Sequence, residues 1–204
     1  MDQQTLAYYS QNASTISKRY ESITNGLASS FDAAFKVGAR VLDIGCGSGR
    51  DMALLLRTDR DAYGLEACPE LIAAAHELHP ELEQRIAQGA LPDCPIPFGG
   101  DFDGVLCSAV LMHIAPQYYE ACVAFIWRVL KPQGTLLYSV PSARDDVEKR
   151  SNRDAAGRLF VADAAQRLRA LFLAQGFKLI EEFENEDSLG RDGVRWASVL
   201  MKRP

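Results

Sequence analysis

The sequence predicts an α/β fold in which a mostly parallel β-sheet carries helices on both faces. Three observations predict it. Short, apolar, β-branched stretches alternate with longer helical stretches along residues 38–176. The first apolar stretch runs directly into three alternate glycines, as where a buried strand turns into a helix. The last two strand-like stretches are separated by a short polar gap, which indicates a hairpin.

Before this alternation, the chain is predicted to begin with an amphipathic helix. Apolar residues recur at steps of three and four, at Leu6, Tyr9, Ala13, Ile16, Tyr20, Ile23 and Leu27. The stripe fits a helix that packs on the chain's own core, and a coiled-coil seam is the alternative. We expect residues 1–37 to form a helical segment covering the functional site, and residues 38–204 to form a single domain.

The remaining elements follow in chain order. Strands are predicted at 39–44, 61–66, 82–87, 102–107, 134–140, 177–183 and 194–201, and helices at 50–57, 69–79 and 116–130. Pro69 and Pro116 suit the first turn of a helix because that turn does not need the missing N–H. A further helix is expected to be capped by Asp163 and to end at Gly176.

Residues 141–158 interrupt the pattern because they are highly charged and almost devoid of apolar side chains. We expect this stretch to be a loop or a surface helix outside the core. It could be a lid that recognises a polar substrate or simply a solvated loop, and the sequence leaves both alternatives open.

Composition limits the classes of function. The 204 residues are 48% hydrophobic and 24% charged, which is typical of one globular domain. The net charge of −5 argues against a nucleic-acid partner, since such proteins usually carry a basic face. The five cysteines include no Cys-x-x-Cys pair, so we expect neither a disulfide framework nor a metal site. Reduced thiols are typical of the cytoplasm, which is therefore the expected location. We also expect no membrane partner, because no signal peptide or long apolar run is found.

The most informative segment is Val41-Leu42-Asp43-Ile44-Gly45-Cys46-Gly47-Ser48-Gly49. Glycines let the chain turn sharply and let a ligand touch the backbone. The spacing differs from the Gly-x-Gly-x-x-Gly of dinucleotide-binding folds, and Asp43 would repel a pyrophosphate. Glu66, at the end of the second predicted strand, could accept hydrogen bonds from ribose hydroxyls. These residues predict a nucleoside ligand with a positively charged, non-phosphate group.

This segment resembles the first motif of the class I S-adenosylmethionine (SAM)-dependent methyltransferases. Similar motifs of that family follow in the expected order, at residues 63–66, 88–92, 102–113 and 130–136. The resemblance covers residues 38–140 strongly. It implies a Rossmann-like, doubly wound, seven-stranded sheet whose antiparallel last strand lies beside the fifth.

The resemblance also implies a role for several residues in binding SAM. Asp43 would lie near the methionine part of SAM, and Glu66 would hold the ribose. The other residues implied at the cofactor are Gly45, Cys46, Gly47 and Gly49 in the loop, Ala67, Ala90 and Leu91 at the adenine, and Cys107 and Ser108 at the methionine amine. Cys46 is interpreted as a packing residue. Gly89 departs from the family, since many relatives have an aspartate there that binds the adenine amino group.

His113, after the fourth predicted strand, is the candidate catalytic residue. It could act as a general base or orient the substrate, and packing near the cofactor is the alternative. Tyr8, Tyr9 and Tyr20 could face the sulfonium, because a ring face attracts a cation, although Tyr9 and Tyr20 also lie on the apolar stripe.

The sequence therefore predicts a SAM-dependent methyltransferase with a small-molecule acceptor. The Asn-Pro-Pro-aromatic motif of DNA amino-methyltransferases is missing, whereas a protein or RNA side chain stays open as the acceptor. The alternatives are a non-catalytic SAM-binding scaffold and an NAD-dependent oxidoreductase. The oligomeric state and the acceptor atom do not follow from the sequence.

Overall fold

The computed structural model describes residues 1–23 and 25–204. Its helices are α1 (Gln3–Glu21), α2 (Phe31–Ala34), α3 (Arg50–Arg57), α4 (Pro69–Leu78), α5 (Tyr119–Val129) and α6 (Ala164–Gln175). Its strands are β1 (Arg40–Ile44), β2 (Asp61–Glu66), β3 (Ile86–Gln88), β4 (Phe102–Ser108), β5 (Leu130–Arg144), β6 (Val147–Glu148), β7 (Arg153–Asp154), β8 (Lys178–Glu186) and β9 (Val194–Lys202).

Seven strands form one sheet in the order β3-β2-β1-β4-β5-β9-β8. The pairs among β1 to β5 are parallel, whereas β9 runs antiparallel to both β5 and β8. The predicted fold class is confirmed, including the antiparallel last strand inserted beside the fifth. A separate ribbon pairs β6 with β7.

The central strands are buried on both faces, as their continuous apolar sequences predicted. Successive side chains of a strand point to opposite faces, so Val41 and Leu106 join one core cluster, while Leu42 and Val105 join the other. The first cluster packs against α2 and α3, and the second against α5 and α6. This two-sided burial fixes the carboxyl ends of β1, β2 and β4 at one edge of the sheet.

Helix α1 packs on the chain's own surface. Leu6, Tyr9 and Ala13 form a small apolar cluster with Cys68 and Leu71 at the start of α4. The helix also begins with a side-chain cap, because the carboxylate of Asp2 accepts from the Thr5 N–H at 2.9 Å.

The prediction that the apolar stripe is one helix through Leu27 was wrong in extent. Helix α1 ends at Glu21, and Leu27 is buried beyond a turn. Residue 24 of this stretch lies outside the described residues. The helix ends early because Arg50 Nη1 donates to the carbonyls of Tyr20 at 2.9 Å and Ile23 at 3.1 Å, which takes the place of a further helical turn.

The expectation of a loop or surface helix at 141–158 was also wrong. Strand β5 continues to Arg144 because β9 supplies backbone partners as far as Val194. The β6–β7 ribbon follows, and the Glu148 carboxylate stabilises its turn by accepting from the Arg150 and Ser151 N–H groups. Arg144, Arg153 and Arg158 of this folded segment thus form ion pairs, while Lys149 and Arg150 are exposed.

Smaller differences concern element ends. The third strand begins at Ile86, because the fully buried Leu82 belongs to a short 3₁₀ turn that packs under the glycine loop. Asp163 occupies the N-cap position of α6, but its carboxylate pairs with Arg167 Nε at 2.6 Å and caps no N–H. Gly176 ends α6 with a φ of 109°, as predicted.

No helix within residues 1–23 and 25–204 has the length and apolarity to cross a bilayer.

Candidate functional site

A cleft of about 190 Å³ lies at the carboxyl edge of the sheet, beneath α1. This edge is where parallel α/β sheets bind their ligands. One side of the cleft, the glycine-loop half, is lined by Asp43, Gly45, Gly47, Asp51 and Glu66. The other side, the arginine half, is lined by His113, Arg144, Arg158, Phe160, Arg191 and Trp196.

The three glycines of the loop share a left-handed backbone but differ in their surroundings. Their φ values are 74° for Gly45, 56° for Gly47 and 80° for Gly49. A Cβ at Gly45 would lie 2.6 Å from Val110, and one at Gly49 would lie 2.3 Å from Leu82. A Cβ at Gly47 would meet no atom within 4 Å. The outer glycines therefore allow close packing, whereas Gly47 presents bare backbone to the cleft.

Glu66 holds the loop in this shape. Its carboxylate is buried and accepts from the Gly47 N–H and the Cys68 N–H, each at 2.9 Å. Burial raises the pKa of Glu66, and these hydrogen bonds oppose the rise by stabilising the charged form. Each oxygen keeps a further lone pair, so a ligand hydroxyl could still donate to this carboxylate.

Asp43 carries a buried oxygen that has no partner. The residue is 2% exposed, and Oδ1 forms no hydrogen bond within the described part of the chain. Burial raises the pKa of Asp43 well above its usual value, and the nearby carboxylates of Asp51 and Glu66 raise it further. A cationic or hydrogen-bond-donating ligand would relieve both effects.

Residues before β1 complete this half of the cleft. Asn25 Nδ2 donates to the Asp51 carboxylate and to Ser108 Oγ, the latter at 3.1 Å. Arg50 Nε pairs with Asp51 Oδ1 at 3.0 Å. Arg50 therefore neutralises Asp51 directly and only partly opposes the raised pKa of Asp43, which a cationic ligand would lower further.

His113 is buried in the arginine half in a defined tautomer. Its Nδ1 lies 2.6 Å from the Leu159 carbonyl, which can only accept, so Nδ1 carries the proton. Nε2 then accepts from the Tyr9 hydroxyl at 3.1 Å. Burial lowers the pKa of His113 to about 4, with the positive charges of Arg158 and Arg144 adding to the effect. The imidazole is therefore neutral at pH 7, with the lone pair of Nε2 occupied by the Tyr9 hydroxyl.

Aromatic rings and guanidinium groups surround this histidine. The ring of Phe160 lies edge-on to His113, with 4.7 Å between centroids. The guanidinium carbons of Arg144 and Arg158 lie 3.7 and 5.2 Å from the centroid of Phe160. Arg158 also stacks on Tyr8 at 4.7 Å, which attaches α1 to this half.

The antiparallel β9 brings a further turn to the same edge. Because β8 ends and β9 begins at the carboxyl edge, the residues between them reach the cleft. In this turn the Asp187 carboxylate accepts from Trp196 Nε1 at 2.9 Å and from Arg191 Nη2 at 2.7 Å. These donors keep the pKa of Asp187 below its usual range although burial opposes them.

The structure brings nine of the predicted site residues together in this cleft. They are Tyr9, Tyr20, Asp43, Gly45, Cys46, Gly47, Glu66, Ser108 and His113.

The other predicted cofactor residues do not line the cleft. They are Gly49, Ala67, Ala90, Leu91 and Cys107. The Leu91 carbonyl accepts from the N-terminal ammonium of Met1 at 3.0 Å. Gly89 leaves no room for the aspartate of many relatives, because a Cβ there would lie 2.8 Å from Leu65. The cofactor roles of these residues stay predictions.

Sequence reasoning missed most of the arginine half. Arg144 and Arg158 lie in the charged stretch that was expected to be a lid or a loop, and nothing in the pattern singled them out. Trp196 and Asp187 belong to the predicted hairpin, whose position at the cleft follows only from the strand order. Asn25, in the glycine-loop half, carried no signal because it is a polar residue within the span of the predicted apolar stripe and belongs to no motif.

Comparison with known sequences agrees with the geometry. Residues 42–138 match the family model described as a methyltransferase domain. A methyltransferase of Synechocystis sp. is 33% identical over 102 residues, covering 50% of this chain and 46% of that protein. A ubiquinone biosynthesis O-methyltransferase of Xanthomonas campestris pv. campestris is 32% identical over 106 residues, covering 50% and 43%. These matches thus span less than half the length of the curated relatives.

Comparison with solved structures extends over nearly the whole chain. The 1,6-didemethyltoxoflavin-N1-methyltransferase of Burkholderia thailandensis, solved with 1,6-didemethyltoxoflavin and S-adenosylhomocysteine (SAH), has a TM-score of 0.77 at 18% identity, covering 98% of this chain and 87% of that chain. A TehB-like SAM-dependent methyltransferase of Corynebacterium glutamicum has a TM-score of 0.69 at 22% identity, covering 95% and 99%. At these identities the likeness concerns the fold.

Proposed function

This chain belongs to the class I SAM-dependent methyltransferases, and from that premise we propose that it transfers a methyl group from SAM to a small-molecule acceptor in the cleft. The observation that carries the proposal is the unpartnered buried oxygen of Asp43, next to bare backbone at Gly47. A ligand with cationic and donor groups fits such a site, and SAM has both. A dinucleotide would instead bring its pyrophosphate against three carboxylates.

The glycine-loop half would hold the cofactor. Asp43 would accept from the cofactor's ammonium group, and Gly47 would let the methionine part approach the backbone. Glu66, already fixed by two backbone N–H groups, would accept from the ribose hydroxyls. When bound, SAM supplies an electrophilic methyl group, and the acceptor's lone pair forms the new bond as the carbon–sulfur bond breaks and SAH leaves.

The arginine half would hold the acceptor, with His113 as the general base. Its neutral Nε2 can take a proton from an acceptor hydroxyl while Nδ1–H remains on the Leu159 carbonyl. The Tyr9 hydroxyl, which now donates to Nε2, marks the place of the acceptor hydroxyl or relays its proton. Positioning supplies most of the remaining catalysis, because the methyl group is already activated.

A small acceptor is supported by the shape and charge of the site. Helix α1 lies over the cleft, and the chain's net charge of −5 disfavours a nucleic acid. The relatives named above include an O-methyltransferase of ubiquinone biosynthesis and an N-methyltransferase solved with its small-molecule ligand. A hydroxyl acceptor has to lose its proton, so it is the kind of acceptor that would use a neutral histidine as its base.

Calorimetric titration with SAM, SAH and NADH in parallel tests the proposal. We expect both adenosyl ligands to bind and NADH not to bind. A methyl-transfer assay against a panel of small hydroxylated acceptors should then show turnover that depends on His113. Failure of SAM and SAH to bind the folded protein would overturn the proposal, whereas binding without turnover on any acceptor would favour a non-catalytic SAM-binding protein.

A further inference from the structure

The arginine half gathers three guanidinium groups at one end of the cleft. Arg144, Arg158 and Arg191 all line it. They are close enough for their charges to interact. The positive charge of Arg158 opposes the raised pKa of Arg191, and the charges of Arg144 and Arg158 both lower the pKa of His113. Like charges brought together in this way require compensation.

Each of these arginines is held by an aspartate through the same edge of its guanidinium. Nε and Nη2 donate to the carboxylate in all three pairs, which are Arg144–Asp146, Arg158–Asp154 and Arg191–Asp187. Pairing along this edge fixes the plane and direction of the guanidinium without using all five of its donors.

The opposite edge of each guanidinium keeps its donors. Nη1 of Arg144, Arg158 and Arg191 donates to no acceptor in the described part of the chain, and one N–H of each Nη2 also remains. Two parallel N–H groups on one edge match the two oxygens of a carboxylate. The three aspartates therefore prepare the arginines for a further anion.

The surroundings favour an anion attached to a flat ring. The rings of Tyr9, Phe160 and Trp196 line the same cleft, and those of Tyr9 and Phe160 contact the base, His113. Both Arg144 and Arg158 stack on Phe160, which also contacts His113. An anionic group bound by these arginines would thus lie near the atom that His113 deprotonates.

We propose that the methyl acceptor is a small hydroxylated aromatic acid, whose carboxylate binds the free edges of Arg144 and Arg158 and whose hydroxyl faces His113. This inference deepens the proposed function and rests on it. The step balances: the hydroxyl oxygen gains the methyl group, its proton passes to Nε2 of His113, and the electron pair of the carbon–sulfur bond stays on sulfur in SAH.

The test compares an acid with its uncharged amide of the same shape. The SAH-loaded protein is titrated with 3,4-dihydroxybenzoate and with 3,4-dihydroxybenzamide. We expect the acid to bind about tenfold more tightly than the amide, as one charge-assisted pair would give. Arg144→Gln and Arg158→Gln should each bring the two affinities to within about twofold of each other.

Arg167→Gln is the control, because Arg167 on α6 also pairs with an aspartate, Asp163, through Nε but does not line the cleft. Its preference for the acid should equal that of the unaltered protein. SAH binding checks that each variant is folded, and Arg144→Gln carries the test if Arg158→Gln is unstable. Equal binding of acid and amide, binding of neither, or a preference that survives both substitutions would overturn the inference. If the unaltered protein did not bind SAH, that result would instead overturn the proposed function on which this inference rests.

Discussion

The two halves of the cleft differ in how much of the chain builds them. The glycine-loop half comes mainly from residues 43–66, where β1, a tight loop, α3 and β2 follow one another. The arginine half combines α1, the segment after β4, the end of β5, the β6–β7 region and the β8–β9 turn. The difference teaches that a binding site for a ligand shared with relatives can be encoded by one short motif. The surface proposed for the acceptor depends instead on contacts between distant segments.

The two halves also differ in the charged side chains that line them. The carboxylates of Asp43, Asp51 and Glu66 line the glycine-loop half, and the guanidinium groups of Arg144, Arg158 and Arg191, each paired with an aspartate, line the arginine half. Since the proposed cofactor is cationic and the proposed acceptor anionic, each half offers groups that suit its own ligand. Substitutions in one half should therefore leave the binding function of the other half intact.

The largest expected effect comes from filling the open space at Gly47. In Gly47→Val the side chain would occupy the place of the ligand, and we expect SAH affinity to fall more than about hundredfold in calorimetric titration. Gly38→Val is the control, because Gly38 also has a left-handed backbone (φ 76°) and no atom within 4 Å of its Cβ, but lies outside the cleft. Both variants bear a similar strain of about 1–2 kcal/mol. Native SAH affinity in Gly47→Val would refute the proposed cofactor site.

The next effect concerns the base in the arginine half. His113→Gln should reduce the methyl-transfer rate by about hundredfold or more, since a positioned base contributes about 10²–10⁴. SAH affinity should not change, because His113 belongs to the other half. Tyr9→Phe, which removes only the hydroxyl, should reduce the rate by about tenfold or less. His76→Gln on α4 serves as the control, and a normal rate in His113→Gln would contradict the role of the base.

A smaller effect is expected where α1 joins the two halves. Asp2 caps α1 and pairs with Arg153 at 2.8 Å, and this pair holds the pKa of Asp2 well below its usual range. The stabilisation is therefore present above the usual pKa and is lost as pH falls below it. Asp2→Asn should weaken the docking of α1 by about 1 kcal/mol, because the pair is partly exposed.

Amide hydrogen exchange measures this change, which corresponds to exchange about fivefold faster in α1. Asp61→Asn, which breaks a more exposed pair with Arg85 at the start of β2, is the control. Unchanged exchange in α1 would mean that its apolar contacts with α4 hold it alone.

The smallest expected effect is an absence of pH dependence. Burial and the charges of Arg144 and Arg158 hold the pKa of His113 at about 4, while Asp154 opposes the shift. The neutral form is the active base, so the maximal rate should stay constant from about pH 8 to pH 6 and fall only as pH approaches the lowered pKa. A rate–pH profile with half-maximal activity near pH 6.5 would show an unshifted histidine and contradict this burial.

The sequence predicted the sheet and the glycine-loop half well, because both depend on local patterns. A buried strand, alternate glycines and a following helix can be recognised within a few residues, and the structure has them at the expected positions. The third strand was misplaced because of a contact between distant residues, since Leu82 packs beneath Gly49 instead of pairing in the sheet.

The arginine half was predicted poorly because its contacts join distant residues. Tyr9 and His113 are 104 positions apart, and both were proposed for separate roles without any sign that they would form a hydrogen bond. The charged stretch 141–158 looked like solvated chain because its partner strand, β9, comes only at Val194. Its side-chain pairs fix Arg144 and Arg158 at the cleft, which composition alone does not reveal.

The reversed direction of β9 has a consequence for how such a protein could acquire new specificities. The turn over residues 187–193 lies beyond the last β8–β9 backbone pair, which joins Glu186 and Arg195. Its length and sequence can therefore change without shifting the register of any strand. Exchanging this turn between homologues would be a modular way to re-engineer acceptor choice while the inherited cofactor loop stays untouched.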